Sequence, residues 1–173
     1  PREWLMTDER IGERLWEAIG RLPVRAGMVF RHYSTPVEER AVLGQRIAEI
    51  CRDRGLMLAV ARDATLAERL GARLVHKPDE PGALPCSVPV HDTGEAEAAR
   101  TAGASLVFVG PVYPTRSHPG GEALGGERAA ELAGMCGCPA IALGGMDSER
   151  FAELDAAFPG SFHGYAGIDC WLR

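Results

Sequence analysis

The chain has no run of lysine or arginine, and its 24 acidic residues outnumber its 19 basic ones to give a net charge of -5. Binding to a phosphate backbone needs a basic surface, so double-stranded nucleic acid is excluded as a partner. No apolar stretch approaches the roughly 20 residues of a membrane span. The first apolar segment, Trp4–Met6, runs at once into Thr7-Asp8-Glu9, which rules out a signal-peptide core there. The five cysteines are odd in number and unevenly placed, which argues against a disulfide framework and for free thiols in a reducing cytoplasm. Cys136 and Cys138 match neither the redox nor the zinc spacing and read as small thiols at a helix end. Also missing are a histidine spacing for zinc, a glycine-flanked nucleophilic serine, a phosphate loop and a dinucleotide fingerprint. No internal repeat, linker or low-complexity segment divides the chain, so residues 1–173 are expected to form one domain.

What is present is a rhythm. Short apolar runs at Trp4–Met6, Gly27–Phe30, Met57–Val60, Arg73–Val75, Ser87–Val90, Leu106–Val109, Ala140–Leu143 and Phe162–Ile168 read as strands. Between them, Glu9–Leu22, Val37–Arg54, Ala64–Leu70, Gly94–Ala102, Glu127–Met135 and Ser148–Phe158 carry apolar residues at three- and four-residue steps and read as helices. In the second of these, Thr35 is expected as N-cap, Pro36 at the first helical position and Gly55 just past the end. Eight strands alternating with helices predict a (β/α)8 TIM barrel. The chain, at 173 residues, is short for that fold, which typically takes about 250. The shortening falls on the fourth connection, Lys77 to Pro85, whose three prolines leave no room for a full helix. A closing helix is likewise not expected after the eighth strand, and its exposed flank invites a neighbour, so a homo-oligomer is one expectation.

In such a barrel the loops after the strands open on one face and bind the ligand. Reading just past each strand gives Thr7 and Asp8; Arg31, His32 and Tyr33; Ala61, Arg62 and Asp63; His76 and Lys77; His91 and Asp92; Thr115, Arg116, Ser117 and His118; Gly144 and Gly145; Ile168 and Asp169. Four of the five histidines fall in this set. Gly144-Gly145, between a strand and a helix start, let backbone N–H groups approach an anion, and lie after strand seven where barrels hold phosphate. Asp169 opposes this, because a carboxylate beside a phosphate repels it unless protonated, bridged or turned away. Arg31, Arg62, Lys77 and Arg116 supply cations for a pyrophosphate. The expected ligand is therefore a small phosphorylated molecule. For a divalent metal, Asp63 with Asp79 or Glu80 is the plausible carboxylate pair.

Several stretches together resemble the thiamine phosphate synthase and TenI superfamily of small (β/α)8 barrels. They are LMTDER at the start, LGARLVH at Leu70–His76, the run from Val90 to Thr115 that ends AGASLVFVGPVYPT, Leu124-Gly125, and ALGGM at Ala142–Met146. The resemblance implies thiamine biosynthesis: a transferase that couples hydroxymethylpyrimidine pyrophosphate to a thiazole phosphate with Mg²⁺, releasing pyrophosphate through a carbocation-like pyrimidine. It implies that Arg31, Thr115, Ser117 and His118 meet the pyrophosphate, that Gly144, Gly145, Ile168 and Asp169 meet the thiazole phosphate, and that His91 and His118 join Arg31 as candidate catalytic groups. The chain departs from the family pattern at Ala61-Arg62 in place of an asparagine-aspartate pair, which shifts the candidate metal ligand to Asp63. It departs again at Lys77-Pro78-Asp79-Glu80-Pro81, and at Pro89, His118 and Asp169 in place of a serine, the lid lysine and a serine. TenI-type isomerases, which use no metal, have a histidine where this chain has Pro111. Two other expectations follow from these changes: a metal-independent isomerase with His91 or His118 as acid or base, or a barrel that binds a phosphorylated ligand without turnover.

Overall fold

The computed structural model describes residues 1–80, 82–116 and 121–173. Its strands are β1 (Glu3–Met6), β2 (Gly27–Phe30), β3 (Met57–Ala61), β4 (Leu74–His76), β5 (Cys86–Val90), β6 (Leu106–Val109), β7 (Ala140–Leu143) and β8 (Gly164–Gly167). They follow one another in chain order around a closed, parallel eight-stranded barrel. The helices are α1 (Arg14–Arg21), α2 (Val37–Arg54), α3 (Ala64–Arg69), α4 (Thr93–Thr101), α5 (Gly125–Met135) and α6 (Ser148–Ala157). No helix of the described residues is long and apolar enough to cross a membrane. Contacts divide the chain into two compact units, one of Pro1, Glu3–Cys86 and Trp171–Arg173, the other of Arg2 and Ser87–Cys170.

In the first unit β1, β2, β3 and β4 pair in parallel, with Trp4 beside Gly27, Met28 beside Leu58 and Ala61 beside His76. All four residues of β2 are buried, as expected of a strand covered on both faces. Gly27 is required by packing: a Cβ there would lie 2.3 Å from the Trp4 ring. That ring is fully buried, its Nε1 donates to the Pro1 carbonyl at 3.1 Å, and its own carbonyl accepts from Trp171 Nε1 at 3.1 Å. The segment expected as one helix from Glu9 to Leu22 is instead a 3₁₀ turn at Glu9–Ile11 followed by α1. Gly12, at φ 50°, breaks it. The long α2 spans Val37–Arg54 as expected, but its cap lies one residue later than Thr35. Pro36 is its cap and its carbonyl takes the first helical bond, from Arg40 N at 2.8 Å, while no side chain caps the helix. Its other end is as expected, with Gly55 left-handed at φ 64° accepting the chain's exit. Between His76 and Cys86 the described residues form no helix, and Val75 N reaches back to Pro85 O at 3.0 Å.

In the second unit β5 to β8 continue the parallel pairing, Val90 beside Val109, Val109 beside Ala142 and Leu143 beside Ala166. Asp92 and Asp147 cap α4 and α6, accepting from Glu95 N at 2.9 Å and Arg150 N at 3.0 Å. The strand expected at Phe162–Ile168 is shorter, Gly164–Gly167, and the chain then turns into a 3₁₀ helix at Asp169–Leu172. All five cysteines are free thiols, and Cys136, just past α5, donates to Leu132 O at 3.1 Å.

Two glycine substitutions separate packing from propensity. Gly27→Ala is expected to lower unfolding stability by about 2 kcal/mol or more through the clash with Trp4. Gly134→Ala, facing open space near the end of α5, is expected to raise it by roughly 0.5 to 1 kcal/mol. Urea midpoints of the two variants against the parent chain check both signs.

Candidate functional site

Each unit carries polar groups at the C-terminal ends of its strands, where β-strand residues give way to loops. In the first unit the organising residue is Thr7, which is fully buried just past β1. Its Oγ1 accepts the Arg31 backbone N–H at 2.9 Å and lies 3.0 Å from His32 Nδ1, while its carbonyl accepts from Arg31 Nε at 2.8 Å. The hydroxyl has one proton to give, and we assign it to His32 Nδ1, which leaves a neutral imidazole. Burial lowers the His32 pKa, and it also lowers that of the nearby Arg31 guanidinium without removing its charge. Arg31 is thus held from the backbone outwards, with Nη2 3.4 Å from Asp8. Burial acts to raise the pKa of Glu9, but hydrogen bonds such as that from Ser34 N at 2.6 Å, with His32 nearby, outweigh it and lower the pKa.

Arg40, on the first turns of α2, reaches back over the same end. Its Nη2 donates to Ala61 O at 2.8 Å and Arg31 O at 3.3 Å, its Nη1 lies 3.8 Å from Asp63, and its guanidinium covers the Phe30 ring at 5.2 Å. Its Nε is buried without a hydrogen-bond partner among the described residues, a cost of order 1 kcal/mol or more that the ring contact partly offsets. Sequence reasoning missed this residue, although it falls on the buried stripe of α2, four positions before Gly44.

The residues after β2, β3 and β4 share a strained backbone: His32, Arg62 and Lys77 have φ of 31°, 70° and 47°. Left-handed conformations at residues other than glycine cost of order 1 kcal/mol and gather where function demands them. Arg62 lies 3.4 Å from Asp79 and over the Tyr33 ring at 5.5 Å. His76, expected past the strand, is the last residue of β4 and is buried. Desolvation, with Arg31 and Lys77 nearby, pushes its pKa down to about 4.

Two of the three carboxylates proposed for a divalent metal, Asp63 and Asp79, already have partners. Asp63 Oδ1 accepts from Leu66 N at 2.8 Å as the cap of α3, and its other oxygen faces Arg40. Asp79 faces Arg62. A hard cation needs several oxygens converging from different strands. No cluster of three or more histidine, cysteine, aspartate or glutamate side chains able to hold a metal forms among the described residues. The residues present therefore do not fit a divalent site at Asp63.

In the second unit Gly144 and Gly145 have φ of 99° and 64°, and a Cβ at either would strike the loop after β6, 2.6 Å from Pro111 and 2.8 Å from Pro114 O. That loop is held by Val112 N on Leu143 O at 2.8 Å and Tyr113 N on Gly144 O at 3.1 Å. The pair is needed first for this close approach, and its own N–H groups donate to no backbone carbonyl among the described residues. Arg150, not anticipated from sequence, donates to Gly145 O at 2.5 Å. The repulsion expected from Asp169 is answered: Arg116 Nη2 lies 3.1 Å and Nε 3.2 Å from its carboxylate. Ile168 is buried, and Thr115 is half-buried. His91 binds Glu95 through both its N–H and its Nδ1, each at 2.7 Å, and is half exposed. Ser117 and His118 lie outside the described residues.

The family model for thiamine monophosphate synthase matches residues 9–158. A thiamine-phosphate synthase from Bacillus velezensis is 31% identical over 129 residues, covering 68% of this chain and 58% of the relative. One from Roseiflexus is 30% identical over 167 residues, covering 87% and 71%. The chain thus spans less than two thirds of the Bacillus relative. Among solved structures, thiamine phosphate pyrophosphorylase from Pyrococcus furiosus superposes with a TM-score of 0.79 at 20% identity, over 97% of this chain and 85% of that one.

The buried histidines make stability depend on pH in a defined direction. The unfolded His76 takes up a proton near pH 6.5 and the folded one only near 4, so stability falls as pH drops through that window. The loss amounts to roughly 3 kcal/mol for His76, and His32 adds to it in the same direction. Chemical denaturation at pH 7 and pH 4.5 is expected to show the loss, and His76→Gln to flatten the profile.

Proposed function

The chain belongs to the thiamine monophosphate synthase family, and from that premise we propose that it joins hydroxymethylpyrimidine pyrophosphate to a thiazole phosphate. The C–O bond between the pyrimidine methylene and the diphosphate breaks, its electron pair leaving with pyrophosphate. The ring nitrogen of the thiazole then donates its lone pair to the methylene carbon, forming the C–N bond. No proton is transferred in either event, so the demand on the protein is for positive charge at the leaving group rather than for a base. The first unit supports that role: the Arg31 guanidinium is fixed by Thr7 before any ligand arrives, and this observation carries the proposal. In the second unit the amides of Gly144 and Gly145 and the backbone at Ile168 suit the thiazole phosphate, and the Arg116–Asp169 pair removes the charge that opposed it. The neutral His32 and His76 serve as uncharged walls, since a histidine protonated beside Arg31 would be costly.

Incubating the chain with both substrates is expected to yield one pyrophosphate for each thiamine phosphate formed, measured by a coupled phosphate assay and chromatography. Folded protein that yields neither would refute the proposal. Arg31→Gln is expected to lower kcat/KM for the pyrimidine substrate about 100-fold, the loss of a charge-assisted contact worth about 2.7 kcal/mol.

A further inference from the structure

The cations and carboxylates at the ends of β2, β3 and β4 are arranged in the opposite sense to a metal site. A metal-bound diphosphate needs carboxylates free to face a cation, which in turn faces phosphate. Here Asp63 caps the first turn of α3 and faces Arg40, and the exposed Asp79 faces Arg62 rather than Asp63. The positions that lead the loops are instead held by guanidinium and ammonium groups. Arg31 follows β2, Arg62 follows β3 and Lys77 follows β4, and the last two sit on backbone in the left-handed region.

We infer that Arg31, Arg62 and Lys77 supply the positive charge that binds the diphosphate of the substrate, in place of a divalent cation. The inference rests on the proposed diphosphate substrate and adds to it the source of the counter-charge. Arg31 and Arg62 differ in readiness. Arg31 is pre-positioned and its side chain is only 18% exposed, whereas Arg62 is 53% exposed and shares its charge with an Asp79 that is 64% exposed. An exposed pair of that kind contributes about 0 to 1 kcal/mol, so a diphosphate with several charges displaces Asp79 at little cost. Asp79 lies on the connection after β4, whose described residues form no helix or strand. A guanidinium also presents paired N–H groups to phosphate oxygens, a geometry that a single metal-bridging aspartate does not offer. Arg40 is a positioning residue in this scheme: by holding the carbonyls of Arg31 and Ala61 it keeps the chain aimed where Arg31 and Arg62 emerge.

The test is calorimetric titration of the whole chain with inorganic pyrophosphate, in EDTA and in excess Mg²⁺. Binding in EDTA, with affinity within about threefold of that in Mg²⁺, is expected. Arg62→Asn keeps a residue type that tolerates positive φ, and is expected to weaken binding in EDTA at least tenfold. Arg62→Asp, equally tolerant, is expected to abolish binding in EDTA and regain part of it with Mg²⁺. Arg128→Gln, which removes only a surface pair with Glu131 and a contact to Thr93, is expected to change nothing. Parent protein that binds pyrophosphate only with Mg²⁺ would overturn this inference and leave the diphosphate substrate standing. Failure to bind in either condition would overturn both.

Discussion

Thr7 and Arg31 hold one another through two backbone-anchored hydrogen bonds, and the charge at this end of the first unit depends on that clamp. A guanidinium on a mobile side chain loses much of its value to a ligand, because ordering it costs up to about 2 kcal/mol of rotamer entropy. Here the ordering is done on folding. Parallel pairing brings the residue past β1 beside the end of β2, as Met6 lies beside Val29. The Thr7 hydroxyl serves the Arg31 amide and His32 while the Thr7 carbonyl holds the guanidinium, so one buried threonine fixes the cation beside a ring that burial keeps neutral.

From this clamp the other features follow in order. With His32 and His76 kept neutral by burial, positive charge at these strand ends is carried by arginines and a lysine. With Arg40 bound to carbonyls of both β2 and β3 ends, the loops that carry Arg31 and Arg62 start from fixed points. Where the resemblance implies an asparagine-aspartate pair, this chain has Ala61-Arg62, and the difference then has a physical sense. A guanidinium there gives the proposed site positive charge, and the two nearby aspartates lie in pairs with arginine.

Much of this architecture was legible in the sequence. Apolar runs bounded by glycine, proline and charge marked all eight strands, and the proline-rich Lys77–Pro85 stretch marked the connection without a helix. Element ends were less legible: the break at Gly12 looks like any tolerated helix glycine, and Pro36 rather than Thr35 caps α2 because its carbonyl, not a side chain, meets the helix. The polar groups past the strand ends were legible as positions and not as a set of partners. Nothing local announces that Asp169 pairs with Arg116, 53 residues away, or that Asp63 caps α3. Arg40 was hidden because an arginine in a helix is ordinarily solvated, and only its phase with Gly44 and Ile47 shows that it faces inward.

The account stands on arginine, not metal, meeting the diphosphate. Diffraction from crystals grown with imidodiphosphate, a non-hydrolysable diphosphate, in the presence of a chelator tests it most directly. Phosphate oxygens within hydrogen-bond distance of the Arg31 and Arg62 guanidinium groups, with Asp79 moved off Arg62, are predicted. An empty site under chelation, filled only when a divalent ion is restored and bound by Asp63, would contradict it.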